Sequence, residues 1–404
     1  MSGENEKKGP LDGIRVMEVS MAWAGPAAGA LLGDMGAEVI NIEKPDQNRN
    51  FMPGRFEDLQ KVRGGLFEAV SRNKKSVSIN LNKDKGKDLA HRLAAKCDVF
   101  TINIRQKALE KQKLDYPTLA EINPRIVYSR VSGMGPEGPY ADRRISDFIT
   151  QGFSSMMHVI GERESELPQP PLTGILDQTT GTFAAQSIVT ALFVRERTGK
   201  GQEVHTSILG TAMWMMYMQL YTYLTENRLM DRHSKTATYS TMRNYYKCAD
   251  GQWIIFGSTP PEWEKFCKAF GQEQLLQDER FSNFRRAIQN SKAAIAIFTP
   301  IFATRPRDEW LKIAWENDLV AAPVQPLPEA VADEQVQVNE YVYKFEDPQY
   351  GKLSYPGFFS HFSETPVHTH RPSTGVGFNT DEILRDVLGL GQPEIEALRA
   401  DGVI

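Results

Sequence analysis

The chain has little of what announces the commoner enzyme chemistries. Its three cysteines, Cys97, Cys248 and Cys267, are scattered and lack CxxC spacing, so neither a disulfide framework nor a thiolate zinc site is indicated, and a reducing compartment fits. The tight turn "AGPAAG" after the first strand lacks GxGxxG, so the dinucleotide fingerprint is not met there. No GxSxG occurs either, so nothing advertises a Ser-His-Asp hydrolase. The net charge of −4 argues against a nucleic-acid partner. The most apolar stretch, "TAMWMMYMQLYTYL" from Thr211 to Leu224, is shorter than the roughly 20 residues that span a bilayer; it suits a buried helix or a subunit interface. The polar opening "MSGENEKKGP" has no apolar core of a signal peptide, and a frayed leader on a cytoplasmic protein is expected. His368 and His370 are separated by one residue in a Pro-flanked loop without a carboxylate cluster, which reads as a solvated loop and not as a metal site.

What is present is a soluble globular chain, 41% apolar and 24% charged, whose 404 residues exceed one ordinary core. From Ile14 the pattern runs strand (IRVMEVS), small-residue turn (MAWAGPAAG), helix (ALLGDM, broken by Gly29 and Gly33) and strand (EVINIEK), a βαβ unit. The cycle continues with helix "KGKDLAHRLAAK", strand "CDVFTIN", helix "LDYPTLAEIN" and strand "RIVYSRVSG"; "GQEVHTSIL" reads as a closing strand. The fold class is therefore α/β. Residues 1–210 read as the first part of a large Rossmann-like domain, 211–225 as a linking helix, 226–325 as a smaller central α+β domain, and 326–404, with "YGKLSYPGFFSHF", as strands returning to the large domain.

One carboxylate stands out. In "PPLTGILDQTTGTFAAQ", Asp177 falls between what reads as the end of a strand, Thr173 to Leu176, and a helix whose apolar residues Phe183, Ala184, Ile188, Ala191 and Leu192 recur at helical spacing. That helix stops at Arg195, Arg197 and Gly199, as a C-terminus should. An aspartate there serves as an N-cap, accepting a backbone N–H of the first turn; it also suits an anionic nucleophile near the positive end of a helix dipole. Local pattern leaves both open. Cations at Arg72, Lys74 and Lys75 in "RNKKS", and at Arg105, Lys107 and Lys111 in "INIRQKALEKQK", flank strands of the βαβ region, and converging they would hold an anionic cofactor.

Six ordered stretches carry a resemblance: "PLDGIRVMEVSMAWAGPAAGALLGDMGAEVINIEKP", "RNKKSVSINL", "NPRIVYSRVSGMGPEGPY", "TGILDQTTG", "RTGKGQEVHTSIL" and "TDEILRDVLGLGQPEIEALRADGVI". Through essentially the whole chain it resembles the family III coenzyme A transferases, relatives of formyl-CoA and carnitine-CoA transferases. The resemblance implies an interlocked dimer, a homodimer unless a paralogue supplies the second chain. It implies coenzyme A as co-substrate without a metal, an acyl-CoA and a free carboxylic acid as partners, and Asp177 as the nucleophile, acylated through anhydride and aspartyl-CoA thioester intermediates.

By the same resemblance Ala22, Trp23 and Ala24 lie along the coenzyme. Lys44 meets its phosphates, and Asn103, Ile104 and Arg105 lie beside its adenine and pantetheine. Lys74 and Lys75 match the family's "NKRS" pattern, and Lys111 and Arg144 are further phosphate candidates. Three departures stand out. Ser146 precedes Asp147 where relatives carry Tyr or His, which argues against an acyl-CoA racemase. Trp23 replaces a smaller or amide side chain and would shape the acyl pocket. The glycine-rich loop of formyl-CoA transferase has no counterpart between Glu226 and Asn244. The aromatic and Met-rich Thr211–Leu224 stretch favours a hydrophobic or aromatic acid. Two alternatives remain: an acyl-CoA racemase, and a non-catalytic subunit paired with an active paralogue.

Overall fold

A computed structural model describes residues 8–45, 65–166, 169–348 and 350–404; most of the leader lies outside them. Two compact units are present. The first comprises Met1–Met156, Pro170–Tyr221 and Val338–Ile404, and the second Met157–Gln169 and Thr222–Gln337.

The first unit is built on six parallel strands: β1 (Arg15–Val19), β2 (Glu38–Glu43), β3 (Lys74–Ser78), β4 (Val99–Ile102), β5 (Val127–Ser132) and β6 (Glu203–Ser207). Their order in the sheet is β3-β2-β1-β4-β5-β6. That is the doubly wound order, whose topological switch point lies between β1 and β4. Helices cover the sheet, so the strands read as nearly continuous apolar runs such as Val16-Met17 and Val39-Ile40. They are α1 (Ala24–Asp34), α2 (Gly65–Ser71), α3 (Asp84–Ala94), α4 (Gln106–Gln112), α5 (Tyr116–Ile122), α6 (Asp147–Phe153), α7 (Met156–Val159), α8 (Ile175–Thr198), α9 (Ile208–Met215) and α10 (Tyr217–Glu226); α7 and α10 straddle the division between the units. The C-terminal segment adds a hairpin, Val342–Asp347 against Gly351–Pro356, and two helices, Thr380–Asp386 and Gln392–Ala400. The return strands thus pair with one another and do not extend the main sheet.

Three local expectations are corrected. The stretch expected as a small-residue turn is largely helix, α1 starting at Ala24. Its glycines are not breakers but seats: a Cβ at Gly29 would overlap the Glu18 carboxylate, so glycine lets the helix lie close on the sheet. The expected strand over Thr173 to Leu176 is absent; Gly174, at φ 81°, is the N-cap of α8 and Asp177 is the third helical residue. The apolar Thr211–Leu224 stretch is broken at Met216 into the ends of α9 and α10. The second unit carries a three-stranded antiparallel sheet and an aromatic core including Phe256, Phe266, Phe298, Phe302 and Trp310.

Candidate active site

In an open parallel sheet the C-terminal ends of the strands form the ligand-binding rim. The loop after β1 carries Ser20 to Trp23, and the loop after β4 carries Asn103 to Arg105. They are tied across the switch point by Asn103, whose amide oxygen accepts from the Met21 N–H at 2.8 Å while its nitrogen donates to the Met21 carbonyl at 2.6 Å. Ala22 is left-handed at φ 61°, a conformation that costs a residue with a Cβ and clusters at functional sites. Trp23 is the N-cap of α1 and supplies no side-chain cap. Its indole N–H is enclosed without a hydrogen-bond partner, although buried donors are normally satisfied.

α8 lies alongside α1 in the same direction. A Cβ on Gly181 would sit 2.9 Å from the Ala24 carbonyl; Ala28 clusters with Ala184, and Leu32 with Ala185 and Ile188. Asp177 is one turn before Gly181 and shares its face. It therefore projects to the space in front of α1's N-terminus, on the same rim as Ala22 to Ala24.

The capping role expected of Asp177 falls instead to Asp147, the first residue of α6. One oxygen of the Asp147 carboxylate accepts from the N–H of Leu176 at 2.7 Å and from the N–H of Asp177 at 3.0 Å. Its other oxygen accepts from the Gln151 amide, and Asp147 is 6% exposed. No hydrogen bond to the Asp177 carboxylate is found among the described residues. Burial, and then the negative charge of Asp147, push the Asp177 carboxyl up to about 6. It is thus an uncommonly basic carboxylate, still largely ionised near neutrality.

Lys44 stands exposed after β2, Arg105 exposed ahead of α4, and Ile104 half-buried between Asn103 and Arg105. Lys111, in the last turn of α4, and Arg144, in the loop before α6, are exposed. Lys74 and Lys75 open β3, at the end of the sheet away from its rim, although the Lys74 ammonium reaches the first turn of α1. Lys74 is 3% exposed and paired with Glu18 at 2.8 Å, and it also donates to the Pro26 carbonyl. Lys75 bridges Glu38 at 2.8 Å and Glu382 at 2.7 Å. The rim position on β3 belongs to the following loop, Asn80 to Lys83, which the sequence reading passed over. Its signal was its place immediately after a strand, like Lys44 after β2.

Asp147 was likewise read only as the acid after Ser146. His205, held against the Ser132 hydroxyl at 2.7 Å, is lowered to about 4 by burial and by Arg130, so it is neutral and structural. Among the described residues no cluster of His, Cys, Asp and Glu is arranged to hold a metal. No helix there is long and apolar enough to cross a membrane.

A doubly wound sheet with a half-buried, basic aspartate at its rim is the frame of an α/β ligand-binding protein. The family description "CoA-transferase family III" matches residues 11–380, and the chain belongs to that family. It is 30% identical to the mouse succinyl-CoA:glutarate CoA-transferase over 98% of this chain and 90% of that one. It is equally 30% identical to the cinnamoyl-CoA:phenyllactate CoA-transferase of Clostridium sporogenes, over 97% and 96%. The succinyl-CoA–L-malate CoA-transferase alpha subunit of Chloroflexus aurantiacus is 28% identical over 100% and 94%. A CAIB/BAIF family protein from Brucella suis superimposes with a TM-score of 0.83 at 28% identity, covering 94% of this chain and 100% of that one. The protein is a CoA transferase, with coenzyme A as co-substrate.

Proposed function

We propose that Asp177 is the nucleophile that carries the transferred group. The observation behind this reading is a carboxylate on the first turn of α8, buried and raised to about 6, facing the loop that follows β1. An Asp177 oxygen bonds to the thioester carbonyl carbon of an acyl-CoA while the C–S bond breaks and CoA leaves as thiolate, giving a mixed anhydride. The thiolate then attacks the Asp177 carbonyl carbon and releases the donor acid as carboxylate, leaving aspartyl-CoA. The acceptor carboxylate attacks that thioester to form a second anhydride. The thiolate attacks the acceptor's carbonyl carbon, yielding the new acyl-CoA and freeing Asp177. Each step exchanges one acyl bond for another, so no external acid or base is required.

Coenzyme A lies along Ala22 to Ala24 and Asn103 to Arg105 at the switch point, with Lys44, Lys111 and Arg144 available to its phosphates. Trp23, at the start of α1, shapes the acyl pocket. The acid is hydrophobic or aromatic, and the chain works as an interlocked homodimer. Support for both comes from α9 and α10: Trp214, Tyr217, Met218 and Tyr221 are all more than half exposed, an apolar surface of the kind that marks binding sites or subunit contacts. Because one relative is an alpha subunit, the chain purified alone must show full transfer; if activity needs a second polypeptide, the homodimer reading falls.

The mechanism is tested by trapping with hydroxylamine during incubation with acyl-CoA, followed by mass spectrometry. A hydroxamate on Asp177 is expected, and turnover is abolished in Asp177→Asn. Label on another residue, or undiminished turnover in that variant, refutes the assignment. A substrate screen led by formate or oxalate would refute the acceptor class.

A further inference from the structure

We propose that Asp147 is a positioning residue for Asp177: it takes the backbone donors of α8's first turn for itself and sets a fixed negative charge beside the nucleophile. The proposal rests on the reading of Asp177 given above.

A carboxylate in the first turn of a helix is ordinarily stabilised by the unpaired N–H groups and the positive end of the helix dipole. Here two of those donors, the N–H groups of Leu176 and Asp177, are already engaged by the Asp147 carboxylate at 2.7 and 3.0 Å. The stabilisation a helix start offers goes to the wrong acid, from the nucleophile's standpoint. Asp177 is left half-buried with desolvation and a like charge acting on it.

Asp147 itself is held in place. The Gln151 amide nitrogen, one turn along α6, donates both to Asp147 and to the Leu172 carbonyl at 2.8 Å. Gln151 is 0% exposed, so this latch fixes α6, the approach to α8, and the first turn of α8 as one assembly. Among the described residues no cation is found to act on the Asp177 carboxyl, and the nearest in sequence to Asp147, Arg143 and Arg144 in the loop before α6, are exposed. α1 brings Ala24, Ala27 and Ala28 to this part of α8. α9 brings Thr211, which receives the Thr180 hydroxyl. The neighbouring strands contribute Arg130 and His205, and Arg130 acts on His205 and on Tyr128. Asp177 is the only ionisable residue in the first four turns of α8.

The chemical consequence is a nucleophile of raised basicity. Forming the bond from Asp177 to the thioester carbon, as the C–S bond breaks to release thiolate, is favoured when the attacking carboxylate is poorly stabilised as a free anion. The same feature predicts that the pH profile of transfer reports on Asp147, although Asp147 forms no bond to substrate.

Asp147→Asn keeps an oxygen to accept the two N–H groups and removes the charge. The acid limb of kcat/KM, near pH 6 in the parent protein, is expected to move down by roughly one pH unit. kcat at neutral pH should fall by about tenfold, with KM for the CoA thioester nearly unchanged. Asp147→Glu, which keeps the charge, should retain the parental limb. A folded Asp147→Asn whose acid limb has not moved overturns the proposal, whatever its residual activity, because a purely structural role would lower activity without shifting the profile. Should the neutral variant not fold, carbon-13 titration of the Asp177 carboxyl in the parent protein decides the matter: a midpoint in the ordinary carboxylate range overturns it, and one near 6 upholds it. Asp177→Asn separates the two levels. If it still turns over, the covalent reading fails; if it is dead while the Asp147→Asn limb stays put, only the present inference fails.

Discussion

Two pairs of ionisable side chains in the first unit are built on opposite rules. Glu18 and Lys74 carry opposite charges, are 1% and 3% exposed, and satisfy each other at 2.8 Å, with the Pro26 carbonyl taking another ammonium proton. Burial pushes the Glu18 carboxyl up and the Lys74 ammonium down, and each partner opposes the shift in the other. Asp147 and Asp177 carry like charges, and all the hydrogen bonds described go to one of them. The first pair offsets its own charge; in the second no cation is found to act on the carboxylate at the rim. A buried charge beside its counter-charge therefore gives no sign of function, whereas a carboxylate without one is a candidate.

The comparison breaks most sharply at its two centres. Asp177→Asn is expected to lower transfer by at least about a thousandfold, since the covalent route is lost. It should also make the protein more resistant to heat at pH 7. The sign follows from linkage: a carboxyl raised from 3.8 to about 6 on folding binds its proton more tightly in the folded state, so its contribution favours folding at low pH and is lost as pH rises through 6. Removing the charge should recover roughly 1–3 kcal/mol at pH 7, with the gain shrinking toward pH 4, as thermal melts at the two pH values would show. A variant less stable than the parent at pH 7 would mean that Asp177 is satisfied after all.

Lys74→Met should do the reverse. Leaving the Glu18 carboxylate alone in the sheet costs about 3–5 kcal/mol, while protein that remains folded should keep its KM for the CoA thioester. Adding Glu18→Gln should restore much of the stability. A rise in KM without loss of stability would return Lys74 to the ligand-binding group.

The contrast also explains what the sequence could and could not disclose. β1, β2, β4 and β5 were legible because strands buried on both faces are rich in Val, Ile and aromatic residues, β6 because apolar and polar residues alternate in "GQEVHTSIL", and the end of α8 because Arg195, Arg197 and Gly199 spell a C-terminus. The start of α8 was not: Gly174 as a left-handed N-cap followed by Ile175-Leu176 mimics a strand end, and the acid that caps the helix is thirty positions earlier, at Asp147. The extent of α1 was hidden because glycines that permit close packing on Glu18 look locally like breakers. Lys74 and Lys75 match a motif by residue type, which does not disclose that one is paired with Glu18 and the other with Glu38 and Glu382. Asp177 could be singled out by resemblance, whereas its basicity depends on a partner that only the fold brings near.

A smaller expected effect concerns the exposed cations on the rim. Lys44→Ala and Arg105→Ala should each raise KM for the CoA thioester by about 5- to 30-fold, with little change in kcat or melting temperature. Because the partner is a polyanion, the loss should narrow as ionic strength increases from 0.05 to about 0.5 M. Equal losses in kcat and kcat/KM would place these residues in the transition state and not in binding.

The smallest effect tests whether incomplete satisfaction points to substrate for an uncharged donor as it does for Asp177. Trp23→Phe removes one N–H and keeps an aromatic ring, so the α1 start should stay folded; since the indole N–H has no partner in the protein, stability should hold or rise slightly. Acids whose acyl group offers an oxygen to that N–H should lose about 5- to 20-fold in kcat/KM, the worth of one hydrogen bond in a largely dry site. Purely hydrocarbon acids offer only their carboxyl oxygens. A loss confined to oxygen-bearing chains would place the indole against the chain, and a uniform loss would place it against the carbonyl that is transferred. Unchanged kinetics for every acid would show that Trp23 contributes shape alone.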